Sequence, residues 1–267
     1  NVIEYAEKVP LMKHCLTPND PSYNSSTQWG LFKINAANAW NTSTGNPSIV
    51  VAIVDDAVQT NHPDLQPNLW TNAGEIPNNG IDDDGNGYID DVNGWDVADN
   101  DNNPNPPNST FDHGTHVAGI AGARSNNNIG VASIGYNIRI MAVKSTNSAS
   151  VVTDGYSGIV YAANSGAKVI NMSWGGQGNS VSAQNIVNWA YNTKNCLLIA
   201  AAGNDNVNTQ FYPAAYTNVV AVASTASSDA KSSFSNYGTW IQVSAPGSSI
   251  YSTTVGSSYG YKSGTSM

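Results

Sequence analysis

The sequence predicts an α/β fold, a mostly parallel β-sheet with helices on both faces. Three observations predict it. Ile49-Val50-Val51-Ala52-Ile53-Val54 is an unbroken, mostly β-branched run, the pattern of a strand buried on both faces of a sheet. Downstream of it, helical and strand-like patterns alternate, as parallel strands joined by crossover helices require. The chain has 267 residues, 40% of them hydrophobic, enough to bury the core of one large domain.

In chain order, Val2–Glu7 reads as a short strand, followed by a Pro/Asn/Ser-rich stretch to Ser26 and a helix over Ile34–Trp40. The Ile49–Val54 strand ends at Asp55-Asp56. Residues 71–110 are dense in Asn, Asp, Gly and Pro and read as a long surface loop, a kind of segment that is usually functional or disordered. A helix of small residues over His116–Ala123 and a strand over Ile138–Val143 come next. Gly155–Ala163 is helical with Gly166 as its stop, and Val169–Met172 is a strand. Ser182–Tyr191 is helical, Cys196–Ala202 and Val219–Ala223 are buried strands, and Ile241–Val243 is a further strand. In such sheets chemistry gathers at the carboxyl ends of the strands. Asp55, Ser173 and Gly203-Asn204 all fall just past strand ends.

Composition excludes several classes of function. Charged residues make up 11%, with seven Trp and thirteen Tyr, whereas disordered chains are rich in charge and poor in aromatics. The net charge is −9 and the ten basic residues are scattered, so there is no nucleic-acid footprint. No apolar run approaches the ~20 residues of a membrane helix. Acidity with so few charges fits a secreted protein and supplies carboxylates for hard cations such as calcium. Cys15 and Cys196 allow one disulfide or two free thiols. No Cys-x-x-Cys pair is present, which disfavours structural zinc.

Three short stretches carry chemistry. Ile53-Val54-Asp55-Asp56 puts a carboxylate at the end of a buried strand. Asp112-His113-Gly114-Thr115-His116-Val117-Ala118-Gly119 opens a small-residue helix with a His. Gly264-Thr265-Ser266-Met267 places a Ser after a turn. A serine hydroxyl is a weak nucleophile at neutral pH. To cleave an amide it needs an imidazole to take its proton and later hand it to the leaving amine, and a buried carboxylate to hold the imidazole's tautomer. Leu198-Ile199-Ala200-Ala201-Ala202-Gly203-Asn204 adds a side-chain amide at a strand end, placed to donate to an oxyanion.

Taken together, these stretches resemble the subtilisin-like serine proteases, the subtilases. The resemblance runs from about Thr17 to the last residue. It rests on Thr17-Pro18-Asn19-Asp20-Pro21, His62-Pro63-Asp64-Leu65, the His113 block, Ala200–Asn204, Lys231-Ser232-Ser233-Phe234-Ser235, Ser244-Ala245-Pro246-Gly247 and Ser263–Met267, all in family order. The triad order Asp…His…Ser is that of subtilisin. The resemblance implies the subtilisin-like fold. It also implies Asp55, rather than Asp56, as the catalytic carboxylate, His113, rather than His116, as the base, Ser266 as the nucleophile, and Asn204 as the oxyanion donor beside the Ser266 N–H. It implies a peptide cleft in which Ser173-Trp174-Gly175 and Ala201-Ala202-Gly203 wall the pocket for the residue before the scissile bond. An extended substrate would add as a strand along Ser173–Gly175. Phe211 stands where the family usually has a small or polar residue, which implies a shallower pocket. Asp205 beside Asn204 favours a basic side chain at the rim.

The same resemblance implies calcium. One site is expected from Asp20, Asp64 and Asn127 with carbonyls near Arg124, Ile129 and Val131, and another in the run holding Asp96, Asp99, Asp101 and Asn103. A third candidate lies in an insertion at about 71–94. There Asp82, Asp84 and Asn86 have the spacing of an EF-hand loop's opening positions, Asn93 takes the place of the closing Glu, and Asp90 or Asp91 is the substitute carboxylate.

The expected activity is that of a secreted, calcium-stabilised serine endopeptidase of broad specificity acting on peptides and proteins. The alternatives are a kexin-like processing protease with a basic preference, suggested by Asp55-Asp56, and a catalytically inactive calcium-binding module on the same fold. Residues 1–14 are expected to be a remnant of an inhibitory propeptide, with maturation near Cys15–Thr17, and residues 15–267 the peptidase domain. The family continues past the nucleophile into a buried helix, so the 267-residue chain alone is expected to be inactive and to need a C-terminal fragment.

Overall fold

The structure, a computed structural model, describes residues 16–267. The expected strand over Val2–Glu7, the propeptide remnant and Cys15 lie outside those residues. Seven parallel strands form one sheet in the order β2-β3-β1-β4-β5-β6-β7. They are β1 (Val50–Asp55), β2 (Gly94–Asp96), β3 (Arg139–Lys144), β4 (Val169–Met172), β5 (Leu197–Ala201), β6 (Val219–Thr225) and β7 (Val243–Pro246). From β1 the chain runs out to the edge strand β2, comes back to β3 beside β1, and then crosses to β4 on the other side. That reversal puts the crevice at the carboxyl ends of β1 and β4.

The apolar run of β1 is divided between two layers by the two-residue period of a strand. Val50, Ala52 and Val54 face a core shared with α4 (Gly155–Asn164) and α5 (Val181–Asn192). Ile53 faces a second core shared with Val117 and Ala118 of α3 (His113–Gly122) and with Ile140 and Ala142 of β3. Ile53, Ile140 and Leu198 are fully buried, each contributing about 1.5–3 kcal/mol of burial. A two-stranded antiparallel hairpin, β8 (Ile250–Thr254) with β9 (Ser258–Lys262), packs on α3. Its Ser252 and Thr253 hydroxyls donate to the His116 and Thr115 carbonyls.

The expected elements are found with five differences, the first being that strand β2 (Gly94–Asp96) lies within the 71–110 stretch expected to be loop. The helix expected over Ile34–Trp40 is confined to α2 (Ala36–Trp40), because Asn35 before it adopts a left-handed φ of 57° that a helix does not continue through, and an unexpected short helix, α1 (Trp29–Lys33), precedes it. Helix α3 starts at His113, one turn before the expected His116. The strand expected at 241–243 lies at Val243–Pro246, an edge strand, where proline is tolerated. The β8–β9 hairpin was not expected, although two runs rich in Tyr and Thr flank a turn at Gly256, φ 85°. Residues 71–93 contain no helix or strand.

Candidate active site

Asp55 ends β1 with its side chain 1% exposed, and His113 opens α3 above it, with His113 Nδ1 2.7 Å from Asp55 Oδ1. Asp55 Oδ1 also accepts the Asp56 N–H at 2.8 Å. The first turn of α3 comes this close to β1 because residue 114 is glycine. A Cβ there would stand 2.4 Å from the Ala57 carbonyl oxygen and 2.8 Å from Asp55 Cβ. Burial opposes an imidazolium at His113, but the Asp55 charge and hydrogen bond, with the Asp56 charge, outweigh it. The pKa is raised to about 9, against a smaller opposing push from Lys262.

Ser173 follows β4, and its hydroxyl donates to the Ser266 carbonyl at 2.9 Å, while Ser266 Oγ donates to the Ser173 carbonyl at 3.0 Å. This reciprocal pair ties the nucleophile's turn to the sheet. The Ser266 hydroxyl thus donates to Ser173 O. Catalytic hydrogen bonds often tighten only once substrate is bound.

Asn204 follows β5. Its Oδ1 accepts from the Thr265 N–H at 2.8 Å and the Thr265 hydroxyl at 3.0 Å, which leaves Nδ2 as the donor on the cleft side. Thr265 Oγ1 in turn accepts the Gly203 N–H. Behind this loop Asn236, fully buried, donates to Ala202 O and accepts the Asp205 and Val207 N–H groups. Thr265 and Asn236 are supporting residues that sequence reasoning missed. The single-letter pattern gave no sign of either, because both act through backbone contacts.

Asp55, His113, Ser266 and Asn204 line one cleft of about 610 Å³, with Ser173, Trp174, Gly175, Ala201, Gly203 and Phe211. Ala202 is the exception among the expected wall residues. It is fully buried, since alternate residues of an extended chain face opposite ways. Trp174 serves both core and cleft: its Nε1 donates to Val54 O at 2.9 Å and its ring meets Tyr156 edge-on. Phe211 is 8% exposed and packs on Gly203, where a Cβ would lie 2.7 Å from its ring and φ is +100°. Residues 148–152 form a further wall that the sequence reading did not assign.

His116, the other histidine of the block, is fully buried, with Nε2 3.1 Å from both the Ile250 and Gly260 carbonyls. It holds the hairpin on α3, and burial lowers its pKa to about 4. Cys196 is a buried free thiol whose Sγ donates to Ala167 O.

The expected cation ligands fall into three places. Asp20 and Asp64 are buried side by side, wrapped by residues 124–131. Asp20 accepts the Asn126 and Asn127 N–H groups, and Asp64 accepts Asn127 Nδ2 and the Val131 N–H. Asn127 Oδ1 accepts the Ile129 N–H, and the Arg124 N–H donates to Asp64 O. Neither carboxylate is in an ion pair among the described residues. Burial, with a smaller contribution from Asp20, raises Asp64 to about 6. Two buried carboxylates without a counter-charge form a donor set suited to a hard dication.

The run from Asp96 to Asn103 differs. Lys144, buried at the end of β3, puts Nζ against Asp96 Oδ2 and 3.3 Å from Asp99 Oδ2, while Asp101 Oδ1 accepts the Asn103 N–H. One ammonium thus offsets one of the three carboxylate charges of this run and is shared between Asp96 and Asp99. In the insertion, Asp82, Asp84 and Glu75 form a cluster whose ligand oxygens all lie within 4.8 Å of one another. Asn86 joins it, its N–H donating to both Asp82 and Asp84. Glu75 was missed because it precedes the loop pattern rather than closing it. Of the two substitutes expected for the closing carboxylate, Asp91 faces Asn86, whereas Asp90 turns to the Asn79 and Gly80 N–H groups.

Comparison with known proteins agrees with this geometry. The chain is 45% identical to thermitase from Thermoactinomyces vulgaris, over 94% of this chain and 81% of that one. It is 40% identical to a thermophilic serine proteinase from Bacillus sp. (strain AK1), over all of this chain and 60% of that one. The chain therefore spans less than two thirds of the Bacillus relative's length. A solved protease from Pseudoalteromonas arctica PAMC 21717 superposes with a TM-score of 0.79 at 30% identity, covering 94% of this chain and 83% of that one. The sequence pattern of the Subtilase family matches residues 46–267, a span that includes Asp55, His113, Asn204 and Ser266 together. By descent as well as by the arrangement of its cleft, the chain belongs to the Subtilase family.

Proposed function

We propose that this chain is the catalytic domain of a secreted, calcium-stabilised serine endopeptidase that cleaves peptide bonds through an acyl-enzyme on Ser266. The observation that carries the reading is the 2.7 Å Asp55–His113 contact at the mouth of the one cleft that also holds Ser266 and Asn204. The peptide lies extended along Ser173–Gly175. Ser266 Oγ turns from Ser173 O to His113 Nε2, gives up its proton there and attacks the scissile carbonyl carbon. The Asn204 amide and the Ser266 N–H donate to the resulting oxyanion. Asp55 holds His113 with Nδ1–H toward itself and stabilises the imidazolium. His113 then returns the proton to the leaving amine as the C–N bond breaks. Water, deprotonated by the same imidazole, releases the acyl group.

The pocket before the scissile bond ends on Phe211, which supports an apolar side chain of small to medium size there and broad acceptance elsewhere. Calcium, when bound, neutralises buried carboxylates and fixes the loops they anchor. Asp20, Asp64 and Asn127 with the carbonyls of 124–131 would hold one ion, and Glu75, Asp82, Asp84 and Asn86 a second. Secretion is supported by the acidic, charge-poor composition. Among the described residues no helix is long and apolar enough to cross a membrane.

The test is labelling with a fluorophosphonate probe in calcium, on the chain supplied with the C-terminal fragment that the family resemblance implies, with Ser266→Ala as control. Covalent labelling of Ser266 together with endopeptidase activity supports the reading. A folded, calcium-bound protein that does not label refutes it in favour of an inactive binding module.

A further inference from the structure

Helix α3 begins without help from its own flanking residue. Asp112 occupies the N-cap position but makes no side-chain capping bond; its carboxylate pairs with Lys262 of β9 instead, at 2.8 Å. The first N–H groups of a helix have no partner within it, and here they find one on another element. Asp56 Oδ2 accepts the His113 N–H at 3.1 Å, and Asp56 Oδ1 accepts the Gly114 N–H at 2.7 Å. Asp56 Oδ1 also accepts the N–H of its own neighbour Ala57, at 2.7 Å. The side chain is 3% exposed. A carboxylate at a helix N-terminus interacts favourably with the helix dipole, and this one reaches there from the end of β1.

We infer that Asp56 is a positioning residue for His113: its carboxylate caps α3 across the gap between strand and helix and so locks the catalytic imidazole's backbone onto the strand that carries Asp55. The inference rests on the endopeptidase reading above. Three backbone N–H groups take up most of the acceptor capacity of the Asp56 carboxylate, leaving about one lone pair, on Oδ2, toward the cleft. Adjacent carboxylates are a costly arrangement. Burial and then the Asp55 charge raise Asp56 to about 6, against the hydrogen bonds from Gly114 and His113. The groups that set the charge state of His113 are Asp55 and Asp56 from β1, Lys262 from β9, paired to Asp112, and His116 one turn along α3.

The experiment compares wild type, Asp56→Ala and Asp56→Asn in the full chain with calcium, with rates expressed per site titrated by the fluorophosphonate. Misplacement of a catalytic group by ~1 Å costs about 10²-fold. Asp56→Ala is expected to lower kcat per titrated site about 10- to 100-fold while KM changes by less than about twofold. Asp56→Asn keeps an acceptor at Oδ1 for Gly114 and Ala57, and is expected to recover much of the loss. In both variants the acid limb of kcat/KM is expected to move to lower pH, since a negative charge beside His113 is gone. If the variants only reduce the yield of titratable enzyme, with kcat per site and the pH profile unmoved, Asp56 is merely structural and the inference is overturned. A rise in KM at unchanged kcat overturns it too, by making Asp56 a substrate ligand. Where Asp56→Ala does not accumulate, the isosteric Asp56→Asn decides by the same readouts. A wild type that neither labels nor turns over counts against the endopeptidase reading instead.

Discussion

The catalytic cleft and the insertion at 71–93 are both made of polar residues in loops, yet they are held in opposite ways. In the cleft, three of the functional residues stand at or just beyond the end of a buried strand: Asp55 closes β1, Ser173 follows β4 by one position and Asn204 follows β5 by three. Sheet register sets their spacing, and Thr265 and Asn236 lock the loop between them. In the insertion no strand or helix exists. Its turns are held by carboxylates accepting backbone N–H groups, with Glu75 binding Asp83, Asp84 and Asp90, and Asp82 binding Asn86 and Gly87. The first region is positioned by the apolar core. The second has almost no core of its own and concentrates negative charge, so its order depends on what neutralises that charge.

The largest effect expected is in the cleft. Asn204→Ala removes an oxyanion donor and the acceptor of the Thr265 N–H and hydroxyl, while the Gly203–Thr265 bond and Asn236 still hold the loop, so kcat should fall about 10²–10³-fold, the loss known for such a donor in subtilisin, at nearly constant KM. Steady-state kinetics on a peptide substrate checks this. A large rise in KM, or a fall in melting temperature as large as a core mutation gives, would mean that Asn204 holds the loop together, as the carboxylates of the insertion do.

A smaller effect belongs to Phe211. Because its ring fills the space beside Gly203, Phe211→Gly should deepen the pocket. The ratio of kcat/KM for a peptide with Phe before the scissile bond to one with Ala there should rise about 10- to 200-fold, the usual value of pocket-filling apolar contacts. An unchanged ratio would show that the ring does not bound the pocket.

The insertion inverts the expectation. Asp84→Asn removes one charge from the Glu75–Asp82–Asp84 cluster. A cation at one hundred times its Kd stabilises by about 2.7 kcal/mol, which for a chain of this size is about 5–10 °C in Tm. The substitution should remove that calcium-dependent gain and leave kcat unchanged. Differential scanning calorimetry with calcium or chelator separates the outcomes. An Asp84→Asn protein that keeps the full calcium shift places its cations elsewhere.

The same contrast explains what the sequence made legible. The strand-end residues were readable because a β-branched run such as Ile49–Val54 fixes both the element and its end, and chemistry at that end follows from parallel-sheet topology. Asp82, Asp84 and Asn86 were readable from local spacing alone. What stayed hidden acts across distance. Glu75 enters the cluster from outside the pattern. Asp56 caps a helix 57 residues downstream, so nothing next to His113 signalled where α3 begins. Lys144 meets Asp96 because β3 brings its end beside β2, and it places an ammonium within the expected cation loop.

The smallest effect concerns pH, and it pits catalysis against stability within the cleft. His113 is raised to about 9 in the folded chain, above the ordinary value near 6.5. Between the two the folded state binds more protons than the unfolded one. Stability from the Asp55–His113 pair is therefore complete below about 6.5 and lost as pH rises through about 9. The general base works only when neutral, so kcat/KM should climb across the same window. Activity and stability then move in opposite directions. Thermal unfolding in a Ser266→Ala background, which cannot digest itself, isolates the stability arm, and adding Asp55→Asn should flatten its decline between pH 6.5 and 9. Lysine titration is common to both proteins and cancels in the comparison. Equal slopes would mean that the Asp55–His113 contact carries no linked proton and that the acid limb of activity belongs to another group.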